Sequence, residues 1–90
     1  MITDALLVRM GACHYERRIF QRIFPGGAEI TIENLNKARS EGMDVTWFVM
    51  RYLNQENQAL FFNESYLACQ KYDELVVRYV SKQYKENQNG

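Results

Sequence analysis

The stretch FPGGAEITIENLNKARSEGMDV, from Phe24 to Val45, limits what this chain can fold into more than any other segment. It holds the single proline and three of the five glycines. Pro25 has no backbone N–H and biases Phe24 away from helical angles, so the helical pattern of ACHYERRIFQRIF must stop near Phe24. Gly26 and Gly27 permit a sharp turn. The run AEITI alternates like a strand, yet no second convincing strand appears. An extended bridge followed by a helix cap at Thr31 is the reading that leaves fewer backbone groups unpaired. Asn34 stands three residues later, so this is not the Glu/Gln capping box. The helix after Thr31, containing Ile32, Leu35 and Ala38, should end at Gly42, where a left-handed residue closes a helix well. Asp44 then offers a second cap, its carboxylate favoured at the positive end of the next helix.

The rest of the chain follows the same stop-and-start logic. Thr3 or Asp4 caps a first helix with Leu6, Leu7 and Met10 on its apolar side, and Gly11 ends or bends it. In the second helix Cys13, Ile19, Phe20, Ile23 and Phe24 fall largely on one side, with Glu16, Arg18 and Arg22 toward water. Val45, Phe48, Val49 and Leu53 form the next stripe. NQENQ interrupts the pattern, and ALFF reads as a helical turn packing under the last helix. That last helix spans roughly Glu64 to Lys85, with Cys69, Tyr72, Val76 and Tyr79 recurring at intervals of three or four, widened by Leu75 and Val80. The polar end, residues 86–90, should fray. The expected fold is all-α: one domain over residues 1–90, a compact bundle of about four to five helices with short glycine-containing connections.

Composition narrows the function classes. Hydrophobic residues are 47% of the 90 and charged residues 24%, with a formal net charge of zero. Such a balance gives no global field toward nucleic acid or an anionic bilayer, and no acidic excess of the kind a nucleic-acid mimic needs. Two cysteines encode no disulfide framework, and Cys13 and Cys69 are read as reduced, buried small hydrophobes. MITDALLVRMGAC lacks the basic leader and long apolar run of a secretory signal, and no segment is apolar enough to span a bilayer, so a cytoplasmic location without membrane contact is expected.

No catalytic constellation emerges. His14 is the sole histidine. A catalytic imidazole needs an oriented partner, and the neighbouring Cys13 points about 100° away on a helix. Two cysteines and one histidine do not follow a structural zinc spacing, so no metal is expected. Asp73 and Glu74 are adjacent, while Asp4, Glu29, Glu33 and Glu64 are scattered, and nothing in their spacing specifies an acid/base pair. FPGGAEIT has no phosphate lysine and no GxGxxG spacing, so its glycines turn the chain rather than cradle a cofactor. No enzyme and no cofactor are expected.

Two binding readings remain. Arg17, Arg18 and Arg22, extended by Lys37 and Arg39, could contact phosphates, and residues 31–53 could be drawn as a helix-turn-helix. The second helix of that pair carries Trp47, Phe48, Val49 and Met50 in succession, which suits burial or protein contact better. The aromatics favour protein contact. Trp47, Tyr52, Tyr66, Tyr79 and Tyr84 are the candidate interface residues, because a small domain cannot bury every large ring and such rings contribute broad contacts. The plainer alternative is a tyrosine-rich rim of the core. A homodimer formed through the long aromatic last helix is also expected.

GAC at Gly11–Cys13, IFPGGAEITIENLNKA at Ile23–Ala38 and GMDVTWF at Gly42–Phe48 resemble small helical proteins and domains encoded by bacteriophages and prophages. The resemblance covers residues 4–53; the chain from Asn54 onward lies outside it. It transfers no catalytic residue. It implies the cytoplasm of a bacterial host and a bacterial protein partner, such as an immune or nucleic-acid-processing factor, inhibited or modulated by steric occupation of its binding face. The leading expectation is a non-enzymatic protein-interaction module, with a small helical nucleic-acid-binding regulator as the alternative.

Overall fold

A computed structural model describes residues 1–67 and 71–89, and among these the chain is all-α. Its helices are α1 (Asp4–Met10), α2 (His14–Ile23), α3 (Ile32–Ser40), α4 (Val45–Tyr52), α5 (Gln55–Leu67) and α6 (Tyr72–Asn89). Among the described residues there are six helices where four to five were expected. The chain divides into two compact units, Met1–Val45 and Thr46–Gly90.

In the first unit, Thr3 is extended and its hydroxyl accepts the Leu6 N–H at 3.2 Å, which starts α1. The Phe24 N–H still donates to Phe20 O at 2.8 Å, and the helix goes no further. The Gly27 N–H then donates to Phe24 O at 2.9 Å, closing a turn with Pro25 second and Gly26 third. Gly26 does not take positive φ, so the turn belongs to the type I class that favours proline second and glycine fourth. Gly27 is the constrained residue. Its φ is +96°, and a Cβ there would lie 2.5 Å from Met1 Sδ and 3.1 Å from Ile2 O.

That close approach has a purpose. Ile2 and Ala28 exchange backbone hydrogen bonds, each 2.8 Å, as a single antiparallel bridge. The extended segment that seemed to lack a partner pairs with the N-terminus. Ile2, Leu7, Ile19, Phe20, Phe24 and Ala28 are the buried apolar residues of this unit. Cys13 is a correction: it is exposed, because it occupies the extended cap position before α2 and so falls outside the helix's apolar register.

Thr31 caps α3 as expected, its hydroxyl accepting the Asn34 N–H at 3.1 Å, while the Asn34 amide reaches back to Glu29 O at 3.0 Å. At the other end Gly42, φ +93°, donates to Arg39 O and Met43 donates to Ala38 O, the paired closure of a Schellman motif. Positive φ is what lets both bonds form at once, and glycine takes it without a Cβ clash.

In the second unit the sequence reading needs two corrections. The polar run NQENQ does interrupt the pattern, at Asn54 between α4 and α5, but ALFF is no short turn: Gln55–Gln58 open the thirteen-residue helix α5 that carries it, with Asn57 completely buried. Glu64 belongs to α5 rather than to the last helix, which begins at Tyr72. Cys69 lies outside the described residues. The apolar core residues here are Val49, Leu53, Phe61, Leu75, Val76, Tyr79 and Val80. The Phe61 ring meets Tyr72 and Tyr79 edge-on at centroid distances of 5.5 and 6.2 Å. α6 continues through Asn89.

Candidate protein-interaction surface

The surface to consider is the outward side of α5, and the inward side explains why that helix is held so firmly. Asn54 caps it: its side-chain oxygen accepts the Asn57 N–H at 2.9 Å. The Gln58 amide donates to Met50 O and Leu53 O, both at 2.8 Å, satisfying carbonyls at the end of α4. The buried Asn57 amide donates to Gln83 Oε1 and Glu86 Oε1, each at 2.9 Å, and its oxygen accepts from Lys82 Nζ at 2.7 Å. Gln83 Oε1 also accepts the Asn54 N–H at 2.8 Å, and Gln83 donates to Asn87 at 3.0 Å. The bond from Asn57, with the Lys82 ammonium second, holds the Glu86 carboxyl below its ordinary pKa. One turn from the far end, Glu64 accepts from the Tyr79 hydroxyl at 2.6 Å and from Arg78 at 3.0 Å. The Glu64 bond, then burial, pushes the Tyr79 phenol upward. Among the described residues, no buried side-chain polar atom lacks a partner.

With α5 anchored at both ends and by Phe61 in the middle, its opposite side is left outward. Glu56, Ala59, Leu60, Phe62, Asn63, Tyr66 and Leu67 are all exposed. At about 100° per residue they share one continuous arc of about half the circumference. The large apolar members are exposed to 41% (Leu60), 51% (Phe62), 88% (Tyr66) and 75% (Leu67). Scaled by side-chain size, they make a patch on the order of 500 Å², within the range where the largest patch of a monomer is often functional. Glu56 is the single charged side chain on the arc. A helix with large apolar residues on both its buried and its outward sides is not explained by the core alone.

Of the five aromatics expected at an interface, Tyr66 alone lies on this arc. Trp47, Tyr52 and Tyr84 are half-buried. The Arg51 guanidinium lies 6.0 Å from the Trp47 ring, and Tyr52 stacks on Phe48 at 5.3 Å. Burial is the main cause raising the Tyr52 phenol. Tyr79 is a correction: at 5% exposure it packs in the core and cannot offer a contact surface. Leu60 and Phe62 were missed because ALFF was read as a turn packing under the last helix, and Leu67 because it was placed within that last helix without being singled out. Three consecutive helical residues span about 200°, so Leu60, Phe61 and Phe62 could never all face one core.

The basic residues are largely engaged. Arg17 forks onto Asp4 through Nε and Nη2, at 3.1 and 3.0 Å, and Gln21 adds a third bond at 3.1 Å. These bonds lower the Asp4 pKa and raise that of Arg17. Arg22 pairs with Glu41 at 2.9 Å, the Lys37 ammonium sits 5.5 Å from the Phe24 ring centroid, and Arg39 contacts the Asn36 amide oxygen at 3.5 Å. Arg18 is exposed. The first unit carries six basic and six acidic side chains and the second five and five, so neither unit has an excess of positive charge.

An open hollow of about 360 Å³ borders the proline corner, between Asp4 and Gln21 on one side and Phe24 to Gly27 on the other. Its one carboxylate is already committed to Arg17 and Gln21. Cys13 and His14 are both exposed, and no cluster of three or more metal-ligating side chains exists among the described residues. No helix among them is long and apolar enough to cross a membrane. The chain matches no protein-family model, no curated protein and no solved structure.

Proposed function

We propose that this chain is a non-enzymatic protein-interaction module whose contact surface is the outward arc of α5. The observation that carries this reading is the exposure of Phe62, Tyr66 and Leu67 on a helix whose inner side is locked by capping, amide and aromatic contacts. A rigid platform binds without first paying the ordering cost of a flexible one, and a tyrosine flanked by apolar side chains is the composition of an interface centre. Combined with the phage-type resemblance, the partner class is a bacterial protein, modulated or inhibited by occupation of its binding face. The mechanism is steric and uses no cofactor. The nucleic-acid alternative has less support, because Arg17 and Arg22 already neutralise carboxylates of their own unit.

The test compares proteins captured from a bacterial lysate by the wild-type chain and by the double variant Tyr66→Asp/Leu67→Asp, with Arg18→Glu as the control. The expected result is a partner held by the wild type and by Arg18→Glu and lost from the double variant. Identical captured sets for all three would overturn the reading. Retention of short DNA or RNA at low salt, lost in Arg18→Glu, would favour the alternative instead.

A further inference from the structure

The composition and spacing of the α5 arc also bear on what covers it. Its single charge, Glu56, lies toward the N-terminal end, so the arc offers nothing that would select a partner of opposite charge. Its central residue is Asn63, whose amide both donates and accepts and is therefore complementary to itself. Ala59 stands four residues before Asn63 and Leu67 four after; Leu60 stands three before and Tyr66 three after. If two such helices pack antiparallel about a two-fold axis through Asn63, Leu67 of each comes level with the small Ala59 of the other. Leu60 comes level with Tyr66, and the two Asn63 amides meet. Apolar side chains then line the seam on both sides of the paired amides, and no like charges oppose one another at its centre.

We infer that α5 is a homodimerisation helix, its outward arc covered by the same arc of a second copy of this chain. This rests on the reading of the arc as a protein-contact surface and names its occupant. It also relocates the dimer contact expected on the last helix, where Tyr79 is buried. Two patches on the order of 500 Å² cover about 1,000 Å² together, the lower end of specific interfaces, so the pair should be reversible and dissociate on dilution.

The test is sedimentation velocity of the full chain from about 5 to 500 μM, a range suited to a reversible pair of micromolar affinity. The wild-type mass should rise from 10.7 kDa toward twice that value. Asn63→Asp and Asn63→Lys each place like charges across the two-fold and should each weaken association at least about tenfold. Mixed in equal amounts they should associate with each other about as well as the wild type, which only an Asn63-to-Asn63 juxtaposition explains. Circular dichroism of each variant should match the wild type, since Asn63 is exposed. A mass fixed at 10.7 kDa throughout would overturn the inference. So would undiminished association of both single variants, or failure of their mixture to associate. If the chain stays monomeric while Tyr66→Asp/Leu67→Asp still loses a captured protein, the second-copy assignment falls and the interaction module stands. If neither association nor capture depends on the arc, both fall.

Discussion

The corner at Phe24–Gly27 and the corner at Leu53–Gln58 each turn one helix toward the next, by opposite means. The first relies on local conformational restriction: Pro25 ends the helix, the Gly27-to-Phe24 hydrogen bond closes the turn, and positive φ at Gly27 lets Ile2 pair alongside. The second contains neither proline nor glycine. Its angle is held by side-chain amides: Gln58 on the carbonyls of Met50 and Leu53, and Gln83, from far along the chain, on the Asn54 N–H. Backbone punctuation acts within a few residues and tolerates many neighbours. An amide network depends on its members being in place together, because Asn57 and Gln83 at its centre are buried at the expense of their hydration.

That contrast can be broken most severely at Asn57. Asn57→Ala removes three side-chain hydrogen bonds at once and leaves Gln83, Lys82 and Glu86 short of a partner inside the second unit. The expected loss is about 3 kcal/mol, read as a lower urea midpoint. A loss below about 1 kcal/mol would mean that water replaces the network without penalty and that the second corner does not depend on it.

The two glycines of the first corner sharpen the comparison at a smaller scale. Gly27→Ala must accept positive φ and a methyl in contact with Met1 Sδ and Ile2 O, so a cost of about 2 kcal/mol is expected. Gly26→Ala meets nothing within 4 Å and needs no positive φ. It should be neutral or stabilising by about 0.5 kcal/mol, because it narrows the unfolded ensemble. Thermal unfolding of the two variants side by side decides the matter, and equal effects would show that the turn is not what constrains this corner.

The smallest effect is a pH dependence. The Tyr79 hydroxyl must be protonated to donate to Glu64, and the folded state holds that phenol above its ordinary value of 10.0. The folded state therefore binds the proton more tightly than the unfolded chain. The stabilisation is fully present below pH 10.0 and is lost as pH rises through the folded value. Tyr79→Phe should flatten this alkaline decline in urea midpoints. An unchanged slope would assign the decline to other groups.

Much of the first unit was legible because its devices are short-range. Thr3 and Thr31 cap, Gly11 and Gly42 close helices, and Pro25 ends one, all as residue type and position imply. The exception, the pairing of Ala28 with Ile2, joins residues too far apart for any local pattern to show. The second unit was less legible. Asn57 and Gln83 look like surface residues until their partners are known, so NQENQ could be read as a break but not as the source of a buried side chain. Glu64, which lies in α5, was read as the start of the last helix. At the candidate surface, Tyr66 could be named from its size and type, whereas Leu60, Phe62 and Leu67 could not.

The sequence by itself determined the all-α class, most of the helix starts and stops before Asn54, and the rule that some of Leu60, Phe61 and Phe62 must face outward. Those follow from backbone sterics, capping chemistry and the 3.6-residue turn, all of which act over a few residues. Only the tertiary structure decided that Phe61 turns inward while Phe62 turns outward, that Tyr79 is core and Tyr66 surface, and that Asn57 is buried. Each of those outcomes depends on which distant side chain supplies a partner, and α6 supplies it here through Tyr72, Tyr79, Lys82, Gln83 and Glu86.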